Sequence, residues 1–289
     1  MTATSLRTED GRAALRIERP LAHPPEKVWR ALTEPSHLNQ WFPFAVEPEL
    51  AVGGTIRFVD KAGGPPTSGV ITELESPRVI AYSWGDDHLR WELLPAEDGC
   101  TLVLTHTVAD RYGSASFATG WHACVDALEQ VLEGRAVDVS VDMDAGHERF
   151  IIDLGLDRGV VMETEDGWRV RYERQLVRPA EVGWRTLVAG EDPVIGGRVP
   201  AGFVPEGLTA GPVTAVTPGR VVEYEWLGDG RGGGRVRWEF TRGTGHGARL
   251  VVTQSGVGGG VGPCEGWREH VERFASGLVA VPRAGAVRG

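Results

Sequence analysis

A recurring segment constrains this chain more than any other feature. Residues 14–34, ALRIERPLAHPPEKVWRALTE, return without a gap as residues 169–189, RVRYERQLVRPAEVGWRTLVA. Nine of the twenty-one positions are identical: Arg16/Arg171, Glu18/Glu173, Arg19/Arg174, Leu21/Leu176, Pro24/Pro179, Glu26/Glu181, Trp29/Trp184, Arg30/Arg185 and Leu32/Leu187. A long-period repeat has to be settled before any fold assignment. This one makes the chain two copies of one domain. The length of 289 residues agrees, since domains average roughly 150 residues.

Downstream agreement extends the repeat. Gly69, Thr72, Arg78, Val79, Tyr82 and Trp84 return as Gly211, Thr214, Arg220, Val221, Tyr224 and Trp226. Arg90-Trp91-Glu92 returns as Arg237-Trp238-Glu239, and Gly120-Trp121 as Gly266-Trp267. The offset between copies falls from 155 at the first helix to 143 at Gly53-Gly54/Gly196-Gly197, so the second copy has lost twelve residues there. The lost piece corresponds to the 38–44 region. Five residues are gained in the Gly-rich turn at 228–234.

Within the first copy, Leu15 and Ile17 alternate with Arg16 and Glu18, which predicts a strand with one wet face. Pro24-Pro25-Glu26 opens a helix, because proline suits the first turn and a carboxylate there favours the dipole. An aromatic-rich segment at 37–44 follows. Five or six turn-linked strands then occupy 55–108. Phe117, Trp121, Cys124, Leu128 and Val131 recur at helical spacing and predict a long amphipathic helix that stops near Gly134. A run of strands with helices at the ends argues for an α+β fold with antiparallel sheets. The 40 glycines suit such turn-rich hairpins.

The expected layout is a flexible N-terminus over 1–12, a first domain over 13–136, a linker over 137–167, a second domain over 168–281 and a flexible tail over 282–289. The linker holds nine acidic residues against two arginines between 138 and 166, so it reads as mostly solvated with one short helix near Phe150–Leu154. The net charge of −10 argues against nucleic acid and anionic membrane surfaces. No apolar run approaches the roughly 20 residues that span a bilayer, and the first twelve residues lack the apolar core of a signal peptide. Cys100, Cys124 and Cys264 are scattered and odd in number. They read as reduced thiols, and the expected location is cytoplasmic.

The motifs together resemble a known family. They are Pro-Pro-Glu-Lys-Val-Trp-Arg-Ala-Leu-Thr-Glu-Pro, then Leu38-x-x-Trp41-Phe42, Val-Gly-Gly-Thr-Ile-Arg-Phe at 52–58, Leu-Val-Leu-Thr-His-Thr at 102–107 and the Gly120-Trp121 helix. This set is similar to the homologues of the activator of the ninety-kilodalton heat-shock-protein ATPase, within the START-like (SRPBCC) superfamily. The resemblance covers residues 13–135 and is weaker over 168–281, where Leu-x-x-Trp-Phe is missing. It implies two tandem helix-grip domains, each a curved antiparallel sheet wrapped around a long C-terminal helix with an apolar cavity between. It implies no single activity: relatives bind hydrophobic molecules, catalyse cyclisation or aromatisation, or regulate a chaperone.

Strand alternation assigns the cavity face. Ala81 and Ser83 correspond to Glu223 and Glu225 and read as outward, so Ile80, Tyr82 and Trp84 point in. Leu89, Trp91 and Leu93 point in for the same reason, as do Leu102, Leu104 and His106. The expected ligand-lining set is Trp41, Phe42, Phe44 and Phe58, then Tyr82, Trp84, Trp91 and Leu93, and finally Leu104, His106, Phe117 and Trp121. His106, a polar group on an apolar face, reads either as a core histidine bonded to a neighbour or as a cavity residue that orients a ligand or moves a proton. The second copy has Gln254 there, which cannot act as a general base. Trp41, Phe42 and Phe44 read equally as core or as cavity rim, whereas Trp84, Trp91 and Trp121 read as core before ligand platform. His122 reads as solvent-facing.

No histidine or cysteine spacing suits a metal, no Gly-x-Ser-x-Gly elbow occurs, and the Gly-rich runs at 228–234 and 256–262 lack a nucleotide-loop Lys-Ser/Thr. Neither metal nor cofactor is expected. Three functions stay open: a binder of a small hydrophobic or aromatic molecule in the first domain, with the second supporting or regulatory; a cyclase/aromatase-like or isomerase-like enzyme using His106, with Tyr82, as proton carriers; and a chaperone-interacting protein.

Overall fold

The structure is a computed structural model that describes residues 2–61, 63–165, 167–227, 233–244, 247–257 and 264–283. It divides into two compact units, Met1–Gly146 and His147–Gly289.

In the first unit the chain forms β1 (Ala3–Glu9), β2 (Arg12–Leu21), α1 (Pro25–Thr33), α2 (Pro35–Trp41), β3 (Phe44–Pro48), β4 (Thr55–Asp60), β5 (Thr67–Glu75), β6 (Val79–Trp84), β7 (Asp87–Ala96), β8 (Gly99–Val108) and α3 (Ser114–Leu132). The eight strands make one antiparallel sheet in the order β1-β2-β8-β7-β6-β5-β4-β3. Proline stands at the start of both α1 and α2, where its missing N–H costs nothing. One face of the sheet is covered by α3, which buries Ala118, Trp121, Val125, Leu128 and Leu132. Phe117, Cys124 and Val131, expected on the same stripe, are only half-buried. The buried stripe is rotated by about one position from the predicted one.

The N-terminus corrects the sequence reading. Residues 3–9 are not frayed but pair with β2 in unbroken register, Ala3 opposite Glu18 to Glu9 opposite Arg12. Asp10 and Gly11 both have positive φ, 47° and 77°, which an Asp-Gly two-residue hairpin requires. The turn, not hydrophobic alternation, makes this strand. Thr4 Oγ1 lies 2.8 Å from His122 Nε2, so His122 is half-buried and hydrogen-bonded rather than solvent-facing. Ala81 is also buried, at 1% exposure. Its outer sheet face is roofed by Arg90, which bridges Glu73 and Glu92.

The second unit repeats the plan. α4 (Met143–Asp153), within which the division falls, precedes β9 (Val160–Thr164), β10 (Gly167–Gln175), α5 (Ala180–Val188), β11 (Thr209–Thr217), β12 (Val221–Leu227), β13 (Gly234–Arg242), β14 (Ala248–Val257) and α6 (Cys264–Val279). The strand order is β11-β12-β13-β14-β10-β9, which matches β5-β6-β7-β8-β2-β1. The α+β class with two antiparallel helix-grip sheets is therefore the observed architecture.

Two expectations change here. The acidic stretch 137–167 is mostly exposed, as expected, and α4 is its docked helix, burying His147, Phe150 and Ile151, but it also adds an unexpected strand, β9, which pairs with β10 as β1 does with β2. The difference between the copies also exceeds the 38–44 region: α2, β3 and β4 have no counterpart among the described residues of the second unit. Residues 189–208 carry only a short 3-10 turn at Ala201–Phe203. Most of the glycine runs at 228–234 and 256–262, and of the tail over 282–289, lie outside the described residues.

A repeated arginine ties sheet to helix in each unit, with different burial. Arg19 on β2 reaches Asp126 at 2.6 Å and also Glu129 on α3, and its side chain is 21% exposed. Its counterpart Arg174 on β10 is 1% exposed and bonds Glu148 of α4 at 2.6 Å and Glu272 of α6 at 2.9 Å. The added helix α4 has buried the repeat's arginine. Removing one member of a buried pair leaves uncompensated charge and costs about 3–5 kcal/mol, whereas a partly solvated pair contributes about 0–1 kcal/mol. We therefore expect Arg174→Ala to destabilise the chain severalfold more than Arg19→Ala in urea unfolding followed by tryptophan fluorescence. Equal losses would contradict this account.

Candidate functional site

In the first unit β8 carries Leu102, Leu104 and His106 on the inner face, and all three are buried. His106 is fully enclosed, and both ring nitrogens are engaged. Trp121 Nε1 on α3 donates to His106 Nδ1 at 3.0 Å. An indole N–H can only donate, so Nδ1 must be the acceptor, and Nε2–H donates to Asp87 Oδ2 at 3.0 Å. Asp87 Oδ1 accepts from the Ala109 backbone N–H at 2.7 Å. Phe117 closes on the imidazole edge-on at 4.5 Å. The residues expected at the site from sequence do not include Asp87. Its signal was available, because the alternation that turns Leu89, Trp91 and Leu93 inward extends two residues back to position 87.

Tyr82 sits on β6 with its hydroxyl accepting from Trp91 Nε1 at 3.0 Å. Burial drives its pKa far above the usual phenol range. Cys124, half-buried on α3, has its thiol pushed up to about 12 by burial, so it stays protonated and unreactive at neutral pH.

The aromatic residues converge on Phe42, which is 1% exposed. Its ring lies 5.5 Å from Trp41, 5.8 Å from Trp121, 5.9 Å from Trp84 and 6.2 Å from Phe58, centroid to centroid. Trp41 meets Trp91 edge-on at 5.7 Å and donates to Ala31 O at 2.8 Å. Phe44 and Trp84, in edge contact at 5.3 Å, are half-buried, as is Phe117. Lys61 Nζ holds the α2–β3 connection in place by donating to Asn39 O at 2.9 Å and Phe42 O at 2.6 Å. The fold thus brings most of the predicted residues into one aromatic cluster with a partly open rim. Leu93 is buried but pairs with Leu102, six residues along β7 from Asp87, a span of about 20 Å. It belongs to the other end of the core.

The second unit rebuilds this interior with fewer rings. Trp267 Nε1 donates to Gln254 Oε1 at 2.6 Å, replacing the Trp121–His106 bond. Phe203, fully buried, stands edge-on to Trp238 at 5.4 Å, much as Trp41 meets Trp91. The loss of α2 is thus offset by a phenylalanine from the following loop.

The family described as Activator of Hsp90 ATPase homolog 1-like protein matches residues 22–133, from the end of β2 through α3. The first domain belongs to that family. No curated protein matches the chain. Among solved structures the chain is similar to a conserved protein of unknown function from Enterococcus faecalis, at 22% identity over 52% of this chain and 89% of that one, with a TM-score of 0.47. It is also similar to CalU16 from Micromonospora echinospora, at 23% identity over 54% and 95% with a TM-score of 0.43. Among the described residues no group of His, Cys, Asp and Glu is arranged to hold a metal, and no helix is long and apolar enough to cross a membrane.

Asp87 gives this Activator-of-Hsp90-ATPase-like domain a pH signature. Burial pushes the Asp87 carboxyl up, but the His106 and Ala109 N–H groups and the Arg12 guanidinium outweigh it, and the net pKa is lowered. A carboxyl whose folded pKa lies below its unfolded value, about 3.9, stabilises fully above that value. The contribution is lost as pH falls through the folded pKa. Asp87→Asn should cost about 1–2 kcal/mol at neutral pH, and the gap in Tm from wild type should close below roughly pH 4. A gap that stays constant down to pH 3, by calorimetry, would refute the assignment.

Proposed function

We propose that the first domain binds a small apolar or aromatic molecule at the Phe44–Trp84–Phe117 rim of its aromatic cluster. One observation carries the reading: these three large rings stay half-buried at the edge of a cluster whose other members are almost completely enclosed. A partly open aromatic rim over an apolar interior suits an apolar guest, which gains contact area and ring-on-ring attraction. Binding fits better than proton transfer. The lone pair a base would need on His106 already accepts from Trp121, and the Tyr82 phenol is held protonated.

The chaperone reading rests on the family description alone and would act through the outer surface. The test is titration of the full chain with 1-naphthol as a neutral aromatic probe, read by tryptophan quenching. Wild type should saturate. Trp84→Ala should weaken binding about tenfold or more, whereas His106→Gln, which copies the second domain, should stay within about threefold. No saturable quenching, or loss of binding in His106→Gln alone, would overturn the proposal.

A further inference from the structure

The two copies are each other's control for buried polar groups. In the first domain the inner face carries Asp87, His106, Trp121, Trp91 and Tyr82, and the buried polar side-chain atoms of these five are bonded to one another or to backbone. Among the described residues of the first domain, the unpartnered buried side-chain atom is Ser114 Oγ at the start of α3. The corresponding residues of the second domain are Gly234, Gln254, Trp267, Trp238 and Tyr224. Gln254 is 1% exposed and Trp238 is completely buried, yet neither Gln254 Nε2 nor Trp238 Nε1 has a hydrogen-bond partner.

An amide flip does not remove the problem. Trp267 Nε1 can only donate, so the Gln254 oxygen must face it and the NH₂ group must face the interior. Trp238 Nε1 leans toward the Tyr224 oxygen closely enough to oppose the rise in that phenol's pKa, but without forming a bond of ordinary geometry. The Tyr224 hydroxyl is itself committed to Phe203 O at 2.7 Å. Nor can the chain restore the lost carboxylate at position 234. A Cβ there would stand 1.8 Å from Ser255 O, so only glycine fits.

The two donors are neighbours. Val236 pairs with Gln254 and Trp238 with Val252, which sets Trp238 and Gln254 diagonally on one face. Both touch the Trp267 indole, by the 2.6 Å bond from one side and a 5.9 Å ring contact from the other. Buried donors without an acceptor are rare and costly.

We infer that the second domain binds a small neutral molecule through a carbonyl oxygen, which accepts from Gln254 Nε2 and Trp238 Nε1. The acceptor is neutral because the surrounding inward side chains Val170, Val222, Val236, Leu250 and Val252 are apolar and buried; the His270 ring, 5.8 Å from Trp238, has its pKa lowered by burial and donates to Gly202 O, so an anion enclosed there would lack a countercharge. This makes the second domain a site in its own right, with a polar anchor where the first domain is self-satisfied. It does not depend on the ligand proposed for the first domain.

The test uses the full chain carrying Trp84→Ala, so that the first-domain rim is disabled. Acetophenone and ethylbenzene, matched in shape but differing in the carbonyl, are titrated against it by thermal shift and tryptophan quenching. Acetophenone should bind at least tenfold more tightly than ethylbenzene. Adding Gln254→Leu, of similar volume, should abolish that preference while the chain stays folded by circular dichroism. Should that variant not fold, Gln254→Met serves instead. Its thioether can only accept and supplies no donor, and the preference should again disappear. The proposal is overturned if acetophenone and ethylbenzene do not differ, or if the preference survives these substitutions. It is equally overturned if NMR shows the Gln254 NH₂ bonded to a long-lived water that acetophenone does not displace.

Discussion

The structure depends on one bond made across the sheet–helix interface. The long C-terminal helix of each domain must lay a tryptophan on the sheet, and an indole N–H cannot be buried against hydrocarbon without an acceptor. The last long strand supplies it, as His106 in the first domain and Gln254 in the second. That requirement sets the register of helix on sheet, because the donor and acceptor are single atoms while the surrounding apolar contacts tolerate sliding. It also explains a polar residue at the same inward position of both copies, with different chemistry in each.

From this shared bond the copies have diverged in opposite directions. The first domain completes the polar string with Asp87, so His106 has no free nitrogen, and it fills the interior with rings from α2 and β3. The second domain has glycine where the carboxylate stood, and it fills the interior with Phe203 from a loop. On the helix-facing side of β10, α4 and α6 enclose an arginine that its counterpart leaves partly solvated. Duplication preserved the frame because the frame is specified by alternation and by the tryptophan bond. The pockets were free to change because neither constraint touches them.

Particular residues show what could be read in advance. The inward placement of Tyr82, Trp91, Leu104 and His106 follows from period two, since one slip would turn every apolar side chain to water. Asp87 was legible by the same rule. β1 and β9 were harder, because neither buries an apolar face. Each exists because a neighbouring strand offers its unpaired edge, as in the Asp10-Gly11 hairpin. Phe203 could not be assigned to the core from its surroundings, which read as a Gly- and Pro-rich loop.

The sequence alone determined the duplication, the α+β class, the antiparallel strands and the inner face of the sheet. All of these are periodic or repeated properties, carried by neighbours along the chain. Tertiary structure alone decided that both nitrogens of His106 are occupied, that Phe42 sits at the centre of the rings, and that Gln254 and Trp238 are buried without partners. Those facts depend on which atoms from distant segments meet, and on which direction a single donor points. Neither is encoded in local spacing.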